Sequence, residues 1–551
     1  MSTSSATGRT GGDRADDQSR SGSGGFAAVP GDSGGGARRV AIVSLGCARN
    51  DVDSEELAGR LDEGGWTLVA DPADADVAVV NTCGFVEQAK KDSIDTILSV
   101  SDLKTQGRTQ AVVAVGCLAE RYGRELADEL PEADAVLGFD SYADLSDHLG
   151  GILRGQRPIS HVPRDRRTLL PVAPAARREA ASAVSLPGHG AGALPRAAGG
   201  FPAGGAAVLR ARLDDRPWAP LKIASGCDRR CAFCAIPAFR GSFVSRPPGE
   251  VLAEARWLAE RGVSEVLLVS ENSTSYGKDL GDLRLLETLL SDLVAVDGLA
   301  TVRVSYLQPA EMRPDLVQVM TSTEGVAPYF DLSFQHASGP LLRRMRRFGD
   351  AESFLALIAS VRARAPRAGI RCNVIVGFPG ETEDDVEELC AFVSEAGLDA
   401  IGVFGYSDED GTEAEGLDGH LPQDVVDERV EHVSDLVDVV VAERAADRVG
   451  QDVVVLIEEA GAQTAGSAGS VGSVGSARVE AGAAAEAGAV SVDVIGRALH
   501  QGPEVDGICR VVMSSGASGT PGVRVGDRVR GVVVDSDGVD LVVAVGAGER
   551  R

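Results

Sequence analysis

Positive charge is what this sequence has too little of. Its 551 residues carry 54 Lys and Arg against 82 Asp and Glu, a formal net charge of −28. A protein that grips nucleic acid through phosphates needs a surplus of Lys and Arg, so the chain as a whole suits a basic protein partner better. Also missing is any run near the ~18 consecutive apolar residues that cross a bilayer. The first residues, rich in Ser, Gly, Asp and Arg, hold no apolar stretch of a secretory signal. A cytoplasmic location without membrane partners is expected. Cysteine is scarce and odd in number: Cys47, Cys83, Cys117, Cys227, Cys231, Cys234, Cys372, Cys390 and Cys509. That excludes a disulfide framework as the organising device and points to metal binding or catalysis. Apolar residues make up 44%, enough for real cores, and the length suggests roughly three or four domains.

The pattern along the chain predicts an α/β protein. Residues 1–37 are polar and glycine-rich and read as a disordered leader. Apolar runs at 39–45, 77–81 and 111–115 alternate with helix-like stretches at 53–64 and 87–101, the signature of an N-terminal parallel-sheet domain over 38–150. Residues 151–214 turn to Ala, Gly, Pro and Arg and read as a linker or insertion. Over 215–448, strand candidates at Leu221, 265–270, 302–306, 330–334, 371–376 and 400–406 give six β/α repeats, a partial barrel. The remainder, 449–551, is β-rich, with a turn at Asp535-Ser536-Asp537-Gly538 and a flexible insertion at 461–488. It predicts a small β-barrel.

The densest chemistry lies in Gly226-Cys227-Asp228-Arg229-Arg230-Cys231-Ala232-Phe233-Cys234, a loop directly behind an apolar strand. Three thiolates this close can face one centre. Structural zinc takes four ligands, and the nearest further Cys and His, Cys372 and His336, are remote in sequence. A cubic [4Fe–4S] cluster on three cysteines keeps one iron open; a zinc loop completed from a distance is the alternative. A second set is dispersed but regular: Cys47, Cys83 and Cys117 each follow a strand of the N-terminal sheet. The carboxyl edge of a parallel sheet is where such folds bind ligands, and adjacent strands are ~4.8 Å apart, so the three loops can converge. Buried structural thiols are the alternative there.

These residues together resemble the methylthiotransferase family of radical S-adenosylmethionine (SAM) enzymes. The three-cysteine loop matches the radical SAM signature, and the six-cysteine pattern is specific to the broader family. Ser44-Leu45-Gly46-Cys47 with Asn50 and Asp53-Ser54-Glu55, Asn81-Thr82-Cys83-Gly84-Phe85, and Arg240-Gly241-Ser242-Phe243-Val244-Ser245-Arg246-Pro247 are worded like the branch that modifies an aspartate of small-subunit ribosomal protein twelve. The tRNA-modifying relatives usually carry Tyr-Gly-Cys as the first motif. The resemblance implies a radical SAM barrel and a TRAM-like C-terminal barrel. It implies two [4Fe–4S] clusters, on Cys47, Cys83, Cys117 and on Cys227, Cys231, Cys234, with these six cysteines as catalytic residues and metal ligands. One SAM would methylate sulfur held at the first cluster. A second would be cleaved reductively at the other, giving a radical that opens an unactivated β-carbon. An electron donor such as flavodoxin or ferredoxin is implied, and the sulfur donor is left open.

Phe233 matches the aromatic that this superfamily places near the adenine. Ser270-Glu271-Asn272-Ser273, Phe334-Gln335-His336-Ala337-Ser338 and Asn373-Val374-Ile375-Val376-Gly377-Phe378-Pro379-Gly380-Glu381 end strands on the catalytic face of a β/α barrel. Glu271, Gln335, His336, Gly377 and Gly380 are therefore the candidate SAM contacts, although polar residues there also cap helices. Arg343 to Arg347 reads as a solvated helix face, and the twelve Asp and Glu between Ser407 and Asp438 as another. Cys372, Cys390 and Cys509 read as core thiols.

The last 101 residues hold 8 Arg and no Lys against 13 Asp and Glu, a balance of −5. Such a barrel suits a basic ribosomal protein as substrate. Methylthiolation of tRNA adenosine is the runner-up, and a non-enzymatic iron–sulfur sensor is the reading from another class.

Overall fold

The computed structural model describes residues 38–181, 183–189, 208–460, 494–513 and 523–546. The expected leader and the expected insertion at 461–488 lie outside the described residues. Among the described residues, no helix is long and apolar enough to cross a membrane.

The first sheet is five-stranded and parallel, in the order β2-β1-β3-β4-β5. Its strands are β1 (Arg39–Ser44), β2 (Thr67–Leu68), β3 (Val77–Thr82), β4 (Ala111–Gly116) and β5 (Ala135–Val136). Every residue of β3 and β4 is buried, as expected of parallel strands covered on both faces by helices. In register, Ser44 faces Asn81 and Thr82 faces Gly116. The carboxyl ends of three neighbouring strands therefore lie side by side, each followed within three residues by a cysteine. The first helix, Ala48–Glu63, starts directly behind Cys47, five residues earlier than the apolar pattern suggests, because Cys47 itself takes the extended N-cap conformation.

The second unit holds β6 (Trp218–Lys222), a short β7–β8 pair (Ala224–Ser225, Val244–Ser245), then β9 (Glu265–Val269), β10 (Thr301–Val304), β11 (Tyr329–Gln335), β12 (Gly369–Val376) and β13 (Ala400–Gly405). The sheets β10-β9-β6 and β11-β12-β13 are joined by parallel bridges at Val302–Val326 and Leu307–Leu332, giving the six-stranded partial barrel. Its helices pack outside on one large apolar core that contains Leu221, Val266, Val302, Leu332 and Val374.

The described parts of 151–214 pack rather than loop out. Arg166 is buried on Glu120, Arg177 bonds Asp228 of the cysteine loop at 2.7 Å, and Arg210 pairs with Glu55 and Glu254. The acidic stretch behind β13 also turns inward at its start. Glu409 is buried between Lys90 and Arg121, and Tyr122 donates to Asp410, which clamps the N-terminal sheet's helices to the barrel rim.

The C-terminal strands β14 (Asp452–Ala460), β15 (Val494–Ala498), β16 (Cys509–Met513), β17 (Arg528–Asp537) and β18 (Asp540–Val545) close into a barrel in the order β14-β15-β16-β18-β17. The last turn falls two residues later than expected, at Gly538-Val539, because a bulge between Val533 and Asp535 shifts the register. This barrel seats on the amino ends of the larger one. Glu265, the first residue of β9, takes Arg497 at 2.9 Å and Arg303 at 3.2 Å. Tyr329, the first of β11, donates to Asp506, which also pairs with Arg371 at 3.0 Å. The carboxyl ends are left free for chemistry.

Burial works against the Glu265 carboxylate, yet Arg303 and Arg497 hold its pKa down to about 2. A depressed carboxylate adds stability above its ordinary value of 4.5 that is lost as pH falls toward 2. Glu265→Gln leaves two buried guanidiniums short of a counter-charge and is expected to cost about 3–5 kcal/mol. Urea unfolding at neutral pH checks this, and the gap to wild type should shrink as the pH is lowered through that window.

Candidate active site

The loop behind β1 needs Gly46 at φ +95°: a Cβ there would fall 2.8 Å from Cys83 Cβ and 2.9 Å from its Sγ. Gly116, at φ +94°, lets the third loop pass Asn81 Oδ1, which would stand 2.3 Å from an added Cβ. Asn50 then ties the loops together, donating to the carbonyls of Leu45, Asn81 and Thr82. The result is convergence: charge on Cys117 and on Cys47 each raises the Cys83 thiol, which burial and that repulsion push up to about 12. Burial likewise raises Cys117. Cys47 goes the other way, because Arg49 and Arg240 outweigh its burial. Arg49 Nε donates to Cys47 Sγ at 3.4 Å, and Arg240 Nη2 donates to Cys117 Sγ at 3.1 Å.

Cys227, Cys231 and Cys234 form a second triad in the loop behind β7. Cys227 and Cys234 are both raised by burial and by the charge of neighbouring thiols, Cys234 to about 12. All three line a cavity of about 260 Å³ over the carboxyl ends of the partial barrel. Phe233, Glu271 and Gln335 line it too, together with Arg49, Tyr306, Gln308, Arg347, Asn373 and Tyr406. Tyr306 and Gln335 hold φ of +60° and +73°, strained values for residues with side chains, and both face this space. Glu271 is the sharpest feature. Its side chain is 1% exposed and neither carboxylate oxygen has a hydrogen-bond partner. The nearest cations are Arg240 at 3.7 Å and Arg49 at 3.8 Å.

Other candidates lie elsewhere. His336 lies just past the end of β11, where its Nδ1 accepts from Ser338 N and its Nε2 lies 3.3 Å from Glu381. Gly377 N donates to the same Glu381, and Gly380 N to Gly419 O. Gly377 and Gly380 build the turn behind β12, and His336, behind β11, meets that turn at Glu381. Sequence reasoning passed over Arg49, Arg240 and Tyr306 as site residues. The signals were adjacency to Cys47 for Arg49 and the Arg-Gly-Ser phrase for Arg240. The basic run at 343–347 splits: Arg343 and Arg346 are exposed, whereas Arg347 is buried with Nη1 3.6 Å from Cys231 Sγ. Cys372 and Cys509 are buried in strands, as expected of core thiols.

The profile of an uncharacterized protein family, UPF0004, matches residues 39–138, and that of the radical SAM superfamily matches 221–393. "Ribosomal protein uS12 methylthiotransferase RimO" of Kineococcus radiotolerans is 61% identical over 92% of this chain and 97% of its own length. The proteins of the same name from Nocardioides sp. and Streptomyces coelicolor are 60% and 59% identical, each over 96% of their length. The chain belongs to the RimO family. Its two profile matches divide the RimO-family chain between the two thiol triads, the first covering Cys47, Cys83 and Cys117 and the second Cys227, Cys231 and Cys234.

Proposed function

We propose that this chain adds a methylthio group to the β-carbon of an aspartate in ribosomal protein uS12, using two clusters, one on each thiol triad. The observation that carries the reading is the juxtaposition of the triads: Arg49 and Arg240 bond thiols of the first and lie within 4 Å of Glu271, which lines the cavity of the second. The chain is a radical SAM methylthiotransferase; SAM and one [4Fe–4S] cluster follow from its superfamily.

The residues present fit these groups. Three soft thiols with no fourth local ligand suit a cube with one open iron. The buried Glu271 carboxylate beside the second triad has guanidiniums at 3.7 and 3.8 Å but no hydrogen-bond donor, and a donor such as the ammonium of an amino acid suits it. When bound, cluster and SAM supply the one-electron chemistry that opens an unactivated C–H bond. The side chains do the rest. Cys227, Cys231 and Cys234 would hold the metal, Glu271 the ammonium, and Phe233 offers an apolar wall to a purine. Arg49, its guanidinium 4.6 Å over the Tyr306 ring, closes the side toward the first triad. Cys47, Cys83 and Cys117 would hold the cluster that carries the sulfur. Phe85 and Phe404, both exposed, give the cavity an apolar rim. His336, Gly377 and Gly380 belong to this reading as supports of the cavity wall. A one-electron carrier such as flavodoxin or ferredoxin would reduce the second cluster, in the cytoplasm.

A competition tests the substrate. Reconstituted enzyme receives the uS12 loop peptide, intact uS12 and, separately, prenylated tRNA, with mass spectrometry of each. A gain of one methylthio group on peptide or protein is expected. Incorporation into tRNA alone would reverse the assignment in favour of the runner-up, and two clusters without SAM cleavage would favour the sensor.

A further inference from the structure

The radical SAM half of the chain sends one residue into the thiol triad of the other half. Arg240 closes the short helix Ile236–Arg240 and is buried, with its guanidinium 5.4 Å from the Phe139 ring. Nη2 donates to Cys117 Sγ at 3.1 Å and to Asp53 Oδ2 at 3.0 Å. Nη1 has no hydrogen-bond partner and lies 3.7 Å from Glu271. Asp53 is also bonded by the buried Lys222, and Glu271 is shared with Arg49, so three cations, Lys222, Arg240 and Arg49, face two carboxylates. The positive balance lies beside Cys117 and Cys47, which Arg240 and Arg49 bond.

Reduction adds an electron to an iron–sulfur cluster, and a hydrogen bond to a ligating sulfur together with a nearby cation stabilises that more negative state. Resting on the reading that Cys47, Cys83 and Cys117 hold a cluster, we infer that Arg240 is a positioning residue that raises this cluster's reduction potential through its bond to Cys117 Sγ. The radical SAM barrel thereby tunes the redox state of the sulfur-carrying centre it must work with. Arg49, on Cys47, keeps its own bond when Arg240 is changed, so the effect is a shift and not a collapse.

The test uses the full chain with Cys227, Cys231 and Cys234 changed to Ala, so that only the first cluster remains. Its potential is followed by paramagnetic resonance across a redox titration. Arg240→Met should retain the iron of this background, while the ratio of reduced to oxidised cluster at a fixed poise falls about tenfold, the size of losing one charge-assisted hydrogen bond. Arg240→Lys, which keeps the charge, should recover most of it. An Arg240→Met cluster with iron retained and an unchanged ratio overturns the proposal. Should the Met variant bind no iron, Arg240→Lys and Arg240→Gln decide: a higher ratio in Lys supports it, equal ratios overturn it. A folded background protein without iron would instead remove the cluster reading itself, and this proposal with it.

Discussion

Changing Cys227, Cys231 and Cys234 together to Ala is expected to leave about four of roughly eight irons per chain and to abolish reductive cleavage of SAM. The complementary triple change at Cys47, Cys83 and Cys117 should leave about the same iron count but keep cleavage to 5′-deoxyadenosine, while methylthio transfer stops. The asymmetry follows from placement. The cavity proposed for SAM is walled by the second triad with Phe233, Glu271 and Gln335, and none of the first triad's thiols lines it. Arg49 and Arg240 remain in the second variant, held by Tyr306 and Glu271 and by Asp53 and Phe139, so the partition between the triads keeps its shape. Iron analysis and chromatographic assay of 5′-deoxyadenosine decide it. Zinc in place of iron, or full iron in either variant, would overturn the assignment. Loss of cleavage in the Cys47, Cys83, Cys117 variant with a normal second cluster would end the division of labour.

What was legible in the sequence were the features set by short spacing. Six strand candidates, the five-stranded small barrel and three cysteines one to three residues behind parallel strands all follow from period-two and period-3.6 patterns. The cavity's electrostatics were not legible, because they depend on which segments meet. Arg240 reads as one residue of a polar phrase until the helix Ile236–Arg240 abuts Cys117, 123 residues away in sequence. Glu409 reads as one charge in an acidic run until the fold buries it between Lys90 and Arg121. His336 shows a finer limit. Spacing offers Gln335 and His336 equally, and it is the left-handed backbone at Gln335, behind a register shift in β11, that sets Gln335 in the cavity wall and His336 on Ser338 N. The linker composition of 151–214 concealed Arg166, Arg177 and Arg210, each of which forms an ion pair with a distant acid.

Truncation after Gly450 is expected to cost the protein its fold, whereas charge reversal on the C-terminal barrel should cost only substrate capture. The two results separate what this barrel supports from what it recruits. Removing it takes Arg497 from Glu265 and Asp506 from Arg371 and Tyr329. It also strips Leu456 from a cluster with Ala48, Val52 and Trp218. Losing one partner of a buried ion pair costs about 3–5 kcal/mol, a large share of the roughly 5–15 kcal/mol that keeps a domain folded. Aggregated protein with little iron is the expected outcome. Glu459, Asp535 and Asp537 are exposed on the same barrel, away from those pairs. Changing all three to Lys turns a balance of −5 into +1, counted over the last 101 residues. Steering by exposed charge changes association by about tenfold or more and is screened over ~8 Å at physiological salt. The triple variant should therefore lose about tenfold in kcat/KM for uS12 at low salt, with iron content and SAM cleavage intact. The gap to wild type should close as salt rises. An unchanged kcat/KM at low salt would mean that the acidic barrel plays no part in recruiting a basic substrate.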